Sequence, residues 1–104
     1  MEDDCMVHHI VMWDFKEEVA EDRKSVIIEN METALTGLVG QVPGLLTVKL
    51  VKQPLSSSTH EIALVTTLEK AEDVAIYAKH PAHVAAADTY VRPYVCNRAC
   101  LDYE

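Results

Sequence analysis

The sequence has 104 residues, 49% hydrophobic and 25% charged, with nine Lys and Arg against seventeen Asp and Glu and a formal net charge of −8. That length predicts one domain over residues 1–104, and three Gly and four Pro are too few for a disordered or repetitive chain. The acidic balance offers no surface for holding phosphates, so neither nucleic acid nor an anionic membrane is an expected partner.

The start, Met1-Glu2-Asp3-Asp4-Cys5, is acidic where a secretory leader is basic and then apolar. No apolar run approaches the ~20 residues of a membrane-spanning helix. A cytoplasmic location is expected, with residues 1–5 as a short flexible N-terminus. Cys96 and Cys100 are four apart; on a strand they would lie roughly 13 Å apart, beyond the ~7 Å reach of a disulfide. Reduced thiols are expected.

Met6 to Phe15 is rich in β-formers, with Val7, His9, Val11 and Trp13 on one face and Met6, His8, Ile10 and Met12 on the other. Both faces are substantially apolar, which predicts an interior strand covered on both sides. After the charged break Lys16-Glu17-Glu18, apolar residues recur at Val19, Val26, Ile27, Met31, Ala34, Leu35, Leu38, Val39 and Val42. This spacing predicts a long amphipathic helix ended by Gly40 and Pro43-Gly44. Glu17, Glu18, Glu21 and Asp22 cluster at its start, where the helix dipole favours them.

Leu45 to Lys52 alternates as a strand, with Leu46, Val48 and Leu50 on one side and Thr47 and Lys49 on the other. Residues 53–59 (QPLSSST) form the most loop-like stretch. His60 to Leu68 reads as another strand, with Ile62, Leu64 and Leu68 on one face. Glu69 to Lys79 reads as a short helix, broken at His80-Pro81 because a residue before proline leaves the α region. Pro81 then opens a new helix running towards Tyr94, and Val95 to Tyr103 closes the chain as a strand. The order β-α-β-β-α-β, with the second helix broken, predicts a ferredoxin-like α+β fold. In it the first strand–helix–strand unit is expected to make a parallel pair, and the middle strands a hairpin over the serine-rich loop.

Five histidines, at His8, His9, His60, His80 and His83, are the first candidates for chemistry. His83 falls in the first turn of the helix opened by Pro81, where free N–H groups and the dipole disfavour an imidazolium. A neutral ring there can accept a proton. Tyr77, six residues earlier, can orient or donate to the same ligand. The structural alternative is that His80 caps the helix and His83 packs beneath it. His80-x-x-His83 fits no zinc signature, since Pro81 separates the two rings, so no metal is expected. No phosphate loop, dinucleotide fingerprint or nucleophile elbow is present, and no cofactor is expected. Tyr90 and Tyr94, with Tyr77, offer tyrosine edges to a pocket beneath the broken helix.

Three segments in order, residues 8–13 (HHIVMW), 38–44 (LVGQVPG) and the Tyr77-x-x-His80-Pro81-Ala82-His83-Val84 stretch, followed by Leu101-Asp102-Tyr103, resemble the stress-responsive dimeric A/B barrel (Dabb) family. The resemblance runs from about Met6 to Tyr103. It implies a subunit whose sheet packs on the sheet of a second copy, forming a dimeric α+β barrel with a cavity between sheet and helices. In a plant polyketide cyclase of that family (olivetolic acid cyclase), the residues matching His83 and Tyr77 are the catalytic pair, and the one matching His9 lies in the pocket. Two of its pocket positions depart here: a first-helix tyrosine falls at Leu35 and a third-strand histidine at Ile62, with His60 two residues earlier.

Two readings follow. In one, a homodimer binds an apolar, acyl or polyketide-like small molecule and carries out cofactor-free acid–base chemistry. His83 and Tyr77 are then the catalytic residues, and His9, His60, Tyr90 and Tyr94 bind the ligand. In the other, the chain is a non-catalytic stress-response or assembly protein with structural histidines. A third reading, a cofactor-free oxygenase, rests on fold analogy alone.

Overall fold

The computed structural model describes residues 6–104; residues 1–5, expected as a flexible start and including Cys5, lie outside the described residues. Strand β1 (Val7–Phe15) is followed by a 3-10 turn (Glu21–Arg23), helix α1 (Lys24–Thr36), strands β2 (Leu45–Val51) and β3 (Ile62–Leu68), helices α2 (Glu72–Lys79) and α3 (Pro81–Tyr90), and strand β4 (Val95–Tyr103). The four strands form one antiparallel sheet in the order β2-β3-β1-β4, with the helices on one face. This is the ferredoxin-like plan.

The alternation in β1 sets the two faces. Val7, His9, Val11, Trp13 and Phe15 are buried towards the helices, and the residues between them are half-buried on the other side. Ile27, Met31 and Leu35 form the buried stripe of α1, packing on Leu50, Ile62, Leu64 and Leu68 of the sheet. On the opposite face, residues facing across the strands form rows: Tyr103, His8, Thr67 and Thr47; then Leu101, Ile10, Val65 and Lys49. Tyr103 stacks on His8 at 4.7 Å between ring centroids, and Thr47 Oγ1 and Thr67 Oγ1 are 2.5 Å apart.

Four expectations are corrected. Strands β1 and β2 run parallel but are not paired, because β3 lies between them, antiparallel to both. The interior place suits β3, whose alternate residues are buried along its length, whereas β2 carries the exposed Lys49 that an edge strand tolerates. In β2 the pairing shifts between Leu45 and Thr47. That bulge puts Leu45 in the core and leaves Leu46 exposed, so Leu45, not Leu46, shares the buried side with Leu50. Finally, α1 is shorter than its periodicity implies. The acidic cluster precedes it, and it ends at Thr36 with Gly37 as its C-cap. The Thr33 and Thr36 hydroxyls donate back to the Glu29 and Glu32 carbonyls, and glycine is a poor helix residue. Leu38 and Val42 stay buried on tight turns closed by Val42 N–H donating to the Leu38 carbonyl at 3.1 Å. The core-facing spacing therefore outlasts the helix. Likewise α3 ends at Tyr90, short of Tyr94.

Gly40 (φ +93°) and Gly44 (φ +83°) both take the left-handed conformation. Around Gly40 there is open space, but a Cβ at Gly44 would overlap the Asp73 carboxylate. Asp73 is buried and accepts from the Lys70 N–H at 3.1 Å, holding the entry to α2 much as the returning arm of a capping box does. The two glycines separate the backbone cost from the packing cost. Gly40→Ala is expected to lose about 1–2 kcal/mol. Gly44→Ala is expected to lose about 2–4 kcal/mol, because Asp73 must also move. Urea denaturation of both variants checks the order; equal losses would remove Asp73 from the account.

Candidate functional site

The site is built around the break between α2 and α3. Tyr77 lies one turn after Asp73 on the buried side of α2 and is 1% exposed. His80, before Pro81, is extended (φ −63°, ψ 133°) and ends α2. Its Nδ1 accepts from the Ala82 N–H at 3.1 Å, capping α3. The turn brings His83 back over Tyr77, with ring centroids 4.3 Å apart. From β1, His9 meets the edge of Tyr77 at 6.0 Å and 75°. Opposite His9 on β3 stands Thr66, fully buried.

His83 is half-buried. Its Nδ1 donates to the Ala78 carbonyl at 3.2 Å. A carbonyl only accepts, so the neutral ring carries its proton on Nδ1 and leaves the lone pair on Nε2. Burial pushes the His83 pKa below the ordinary histidine value; the Ala78 bond opposes this, and the charges of Arg92, His9 and Arg98 reinforce it. At neutral pH the ring is therefore uncharged, and its Nε2 can accept a proton.

Tyr77 is its complement. Burial pushes the phenol pKa up to about 12, partly offset by the nearby Thr66 hydroxyl, so it stays a protonated donor. Despite that proximity, neither the Tyr77 nor the Thr66 hydroxyl reaches hydrogen-bond geometry with any partner among the described residues. Leaving a buried hydroxyl unmatched costs about 1–3 kcal/mol.

A cavity of about 350 Å³ opens here between sheet and helices. His9, Val11 and Trp13 of β1, Leu35 of α1, Tyr77 and His83 all line it, with Arg92 and Arg98 also in its wall. Its interior is largely apolar, the common character of a small-molecule site.

Of the residues expected at a site, the structure brings His9, Tyr77 and His83 together and leaves three outside. His60 precedes β3 beside the serine-rich loop, 3.2 Å from Thr59 Oγ1, and lines other surface depressions. Tyr90 is exposed at the end of α3, and Tyr94 packs against the core; neither lines the cavity. Leu35, where the cyclase has a tyrosine, does line it, whereas Ile62 is core. His80 and His83 share no ligand point, since each Nδ1 is engaged by backbone. Two residues escaped the sequence reading. Thr66 is the polar member of an otherwise apolar buried row, a signal present in the alternation of β3. Asp102, whose carboxylate contacts His9 Nδ1, gives none, because the two lie 93 positions apart. Cys100 is no activated nucleophile, since partial desolvation of its sulfur and then the Asp102 charge raise its pKa.

The model of the stress-responsive A/B barrel domain (Dabb) matches residues 7–104. The chain belongs to the Dabb family. This Dabb chain is 30% identical to a dimeric protein of unknown function and ferredoxin-like fold from Bacteroides fragilis, with a TM-score of 0.84 and 95% of each chain covered. A Dabb family protein of ferredoxin-like fold from Mesorhizobium loti is 17% identical, with a TM-score of 0.72 over 95% of each chain. A hydroxynitrile lyase from Passiflora edulis shares the fold at 16% identity and a TM-score of 0.66, over 94% of this chain and 91% of its own. No curated protein matches.

The depressed pKa of His83 has a consequence for stability. The unfolded chain takes up the proton at a higher pH than the folded one, so this contribution is complete above about pH 6.5 and is lost as pH falls through the lower folded value. Wild type is therefore expected to lose more melting temperature between pH 7.5 and pH 5 than His83→Gln does. Thermal melts at both pH values check this, and parallel losses would show His83 to be solvated.

Proposed function

We propose that this Dabb chain forms a homodimeric α+β barrel whose cavity binds an apolar small molecule bearing a carbonyl group and catalyses proton transfer beside that carbonyl. The observation that carries the reading is the pairing, at the wall of a cavity of about 350 Å³, of a neutral histidine with a buried tyrosine hydroxyl that has no partner among the described residues. His83 Nε2 takes the proton from the carbon next to the carbonyl, and the electron pair left behind moves onto the carbonyl oxygen. Tyr77 donates a hydrogen bond to that oxygen as its charge develops. His9, fixed through Asp102, orients the ligand, and Arg92 and Arg98 suit an anionic end such as an acyl carboxylate.

An assembly role with structural histidines accounts for His80, which caps α3, but not for two unmatched buried hydroxyls beside a cavity. The homodimer is supported by the exposed apolar positions on the sheet face away from the helices, with Leu101 61% and Tyr103 48% exposed, and by the dimeric state described for the Bacteroides fragilis protein.

The test uses a panel of aryl alkyl ketones and acyl compounds, read by thermal shift and by exchange of the ketone α-hydrogens in heavy water. His83→Ala is expected to slow exchange by about 10²-fold or more. Tyr77→Phe is expected to slow it too while melting no lower than wild type, because it removes an unmatched hydroxyl. No thermal shift with any compound, or exchange equal in wild type and His83→Ala, would sink the catalytic reading. Light scattering at micromolar concentration checks the pairing: twice the chain mass is expected, and a monomer would overturn the sheet-to-sheet arrangement.

A further inference from the structure

We propose that His9, Cys100 and Asp102 form a binding site for a zinc-like divalent cation at the edge of the sheet. The register between β1 and β4 builds it: His9 faces Asp102 and Val11 faces Cys100, so Cys100 and Asp102, two apart on one side of β4, flank the His9 ring. One ligand atom from each, Nδ1, Sγ and a carboxylate oxygen, lies within 4.8 Å of the other two. Cys100 Sγ is 3.8 Å from His9 Nδ1 and 3.7 Å from Asp102 Oδ1.

Tetrahedral zinc, with bonds of about 2.3 Å to sulfur and 2.0–2.2 Å to nitrogen and oxygen, sets its sulfur about 3.6 Å from the other two ligands and those two about 3.4 Å apart. The sulfur already has that spacing. Only the direct His9–Asp102 contact has to open, and Asp102 is exposed on an edge strand that can yield.

The convergence also excludes the obvious alternative. A nucleophile–base–carboxylate relay uses the two ring nitrogens separately, one for the nucleophile and one for the carboxylate. Here thiol and carboxylate approach the same nitrogen, which serves a cation and not a relay. A thiolate, an imidazole and a carboxylate are the donor types of zinc and not of magnesium or calcium, which prefer oxygen alone. Three protein ligands leave the fourth position to water or a small molecule, and the exposure of Cys100 gives the ion its way in. The site does not depend on the chemistry assigned to His83 and Tyr77.

The test titrates Zn²⁺ against a coloured chelator, and Co²⁺ by its thiolate charge-transfer absorption, on the full chain with Cys5 and Cys96 both changed to Ser. Wild type and this variant are expected to bind about one equivalent, with the Co²⁺–thiolate band present in both. Adding Cys100→Ala removes the band, and Asp102→Asn weakens Zn²⁺ binding by roughly tenfold or more. Melting without metal confirms that each variant is folded. Zn²⁺ held no more tightly by wild type than by the folded Cys100→Ala chain, or a band that survives that change, overturns the site.

Discussion

Strand β1 is hydrogen-bonded along both edges, to β3 and to β4, and every other feature takes its position from it. One side of this strand supplies Val11, Trp13 and Phe15 to the core and His9 to the cavity; the other supplies Ile10 and Met12 to the open face. A one-residue slip would exchange the two sets. The register is held at one end by side chains as well as backbone. Glu61 Oε1 accepts from the Phe15 N–H at 2.9 Å, Asp14 Oδ1 accepts from the Glu61 N–H at 3.1 Å, and Asp14 Oδ2 accepts from Asn97 Nδ2 at 2.8 Å. Asp14 thereby ties β1 to both neighbours where the strand ends.

Against that frame the polar layer around Tyr77 runs counter to economical core design. Thr66 and Tyr77 sit among Leu64, Leu68 and Leu35 with hydroxyls unmatched, in a core where isosteric apolar residues would be more stable. Strain and unmet polarity of this kind gather where a fold performs chemistry. His83 belongs to the same trade, kept neutral by the burial that makes it costly to charge.

The sequence carried much of this fold and part of the site. The buried alternation of β1 and β3, the stop at His80-Pro81 and the capping by His80 are local effects, readable from spacing and from what proline forbids. The spacing of Tyr77 and His83 across the helix break suggests that they could share a ligand, and the family resemblance is what singles them out as a catalytic pair. What stayed hidden depends on pairing at a distance. Nothing local places β3 between β1 and β2, puts a bulge at Leu46, or sets Asp102 beside His9. His60 shows the converse: its place two residues before Ile62 suggests a ligand-binding residue on a strand, but the strand begins only at Ile62, and parity means nothing outside a strand.

Both edge strands of the sheet are irregular. In β2 the extra residue is Leu46; in β4 the pairing shifts opposite the Met12–Asp14 stretch, where Asn97 adopts φ +56°. Such breaks bend an edge away from the regular ladder that another strand needs. Growth of the sheet sideways, the route to domain-swapped chains and fibrils, is thereby obstructed at both ends. In the homodimer proposed above, a second copy meets the face away from the helices instead, where association closes after two subunits.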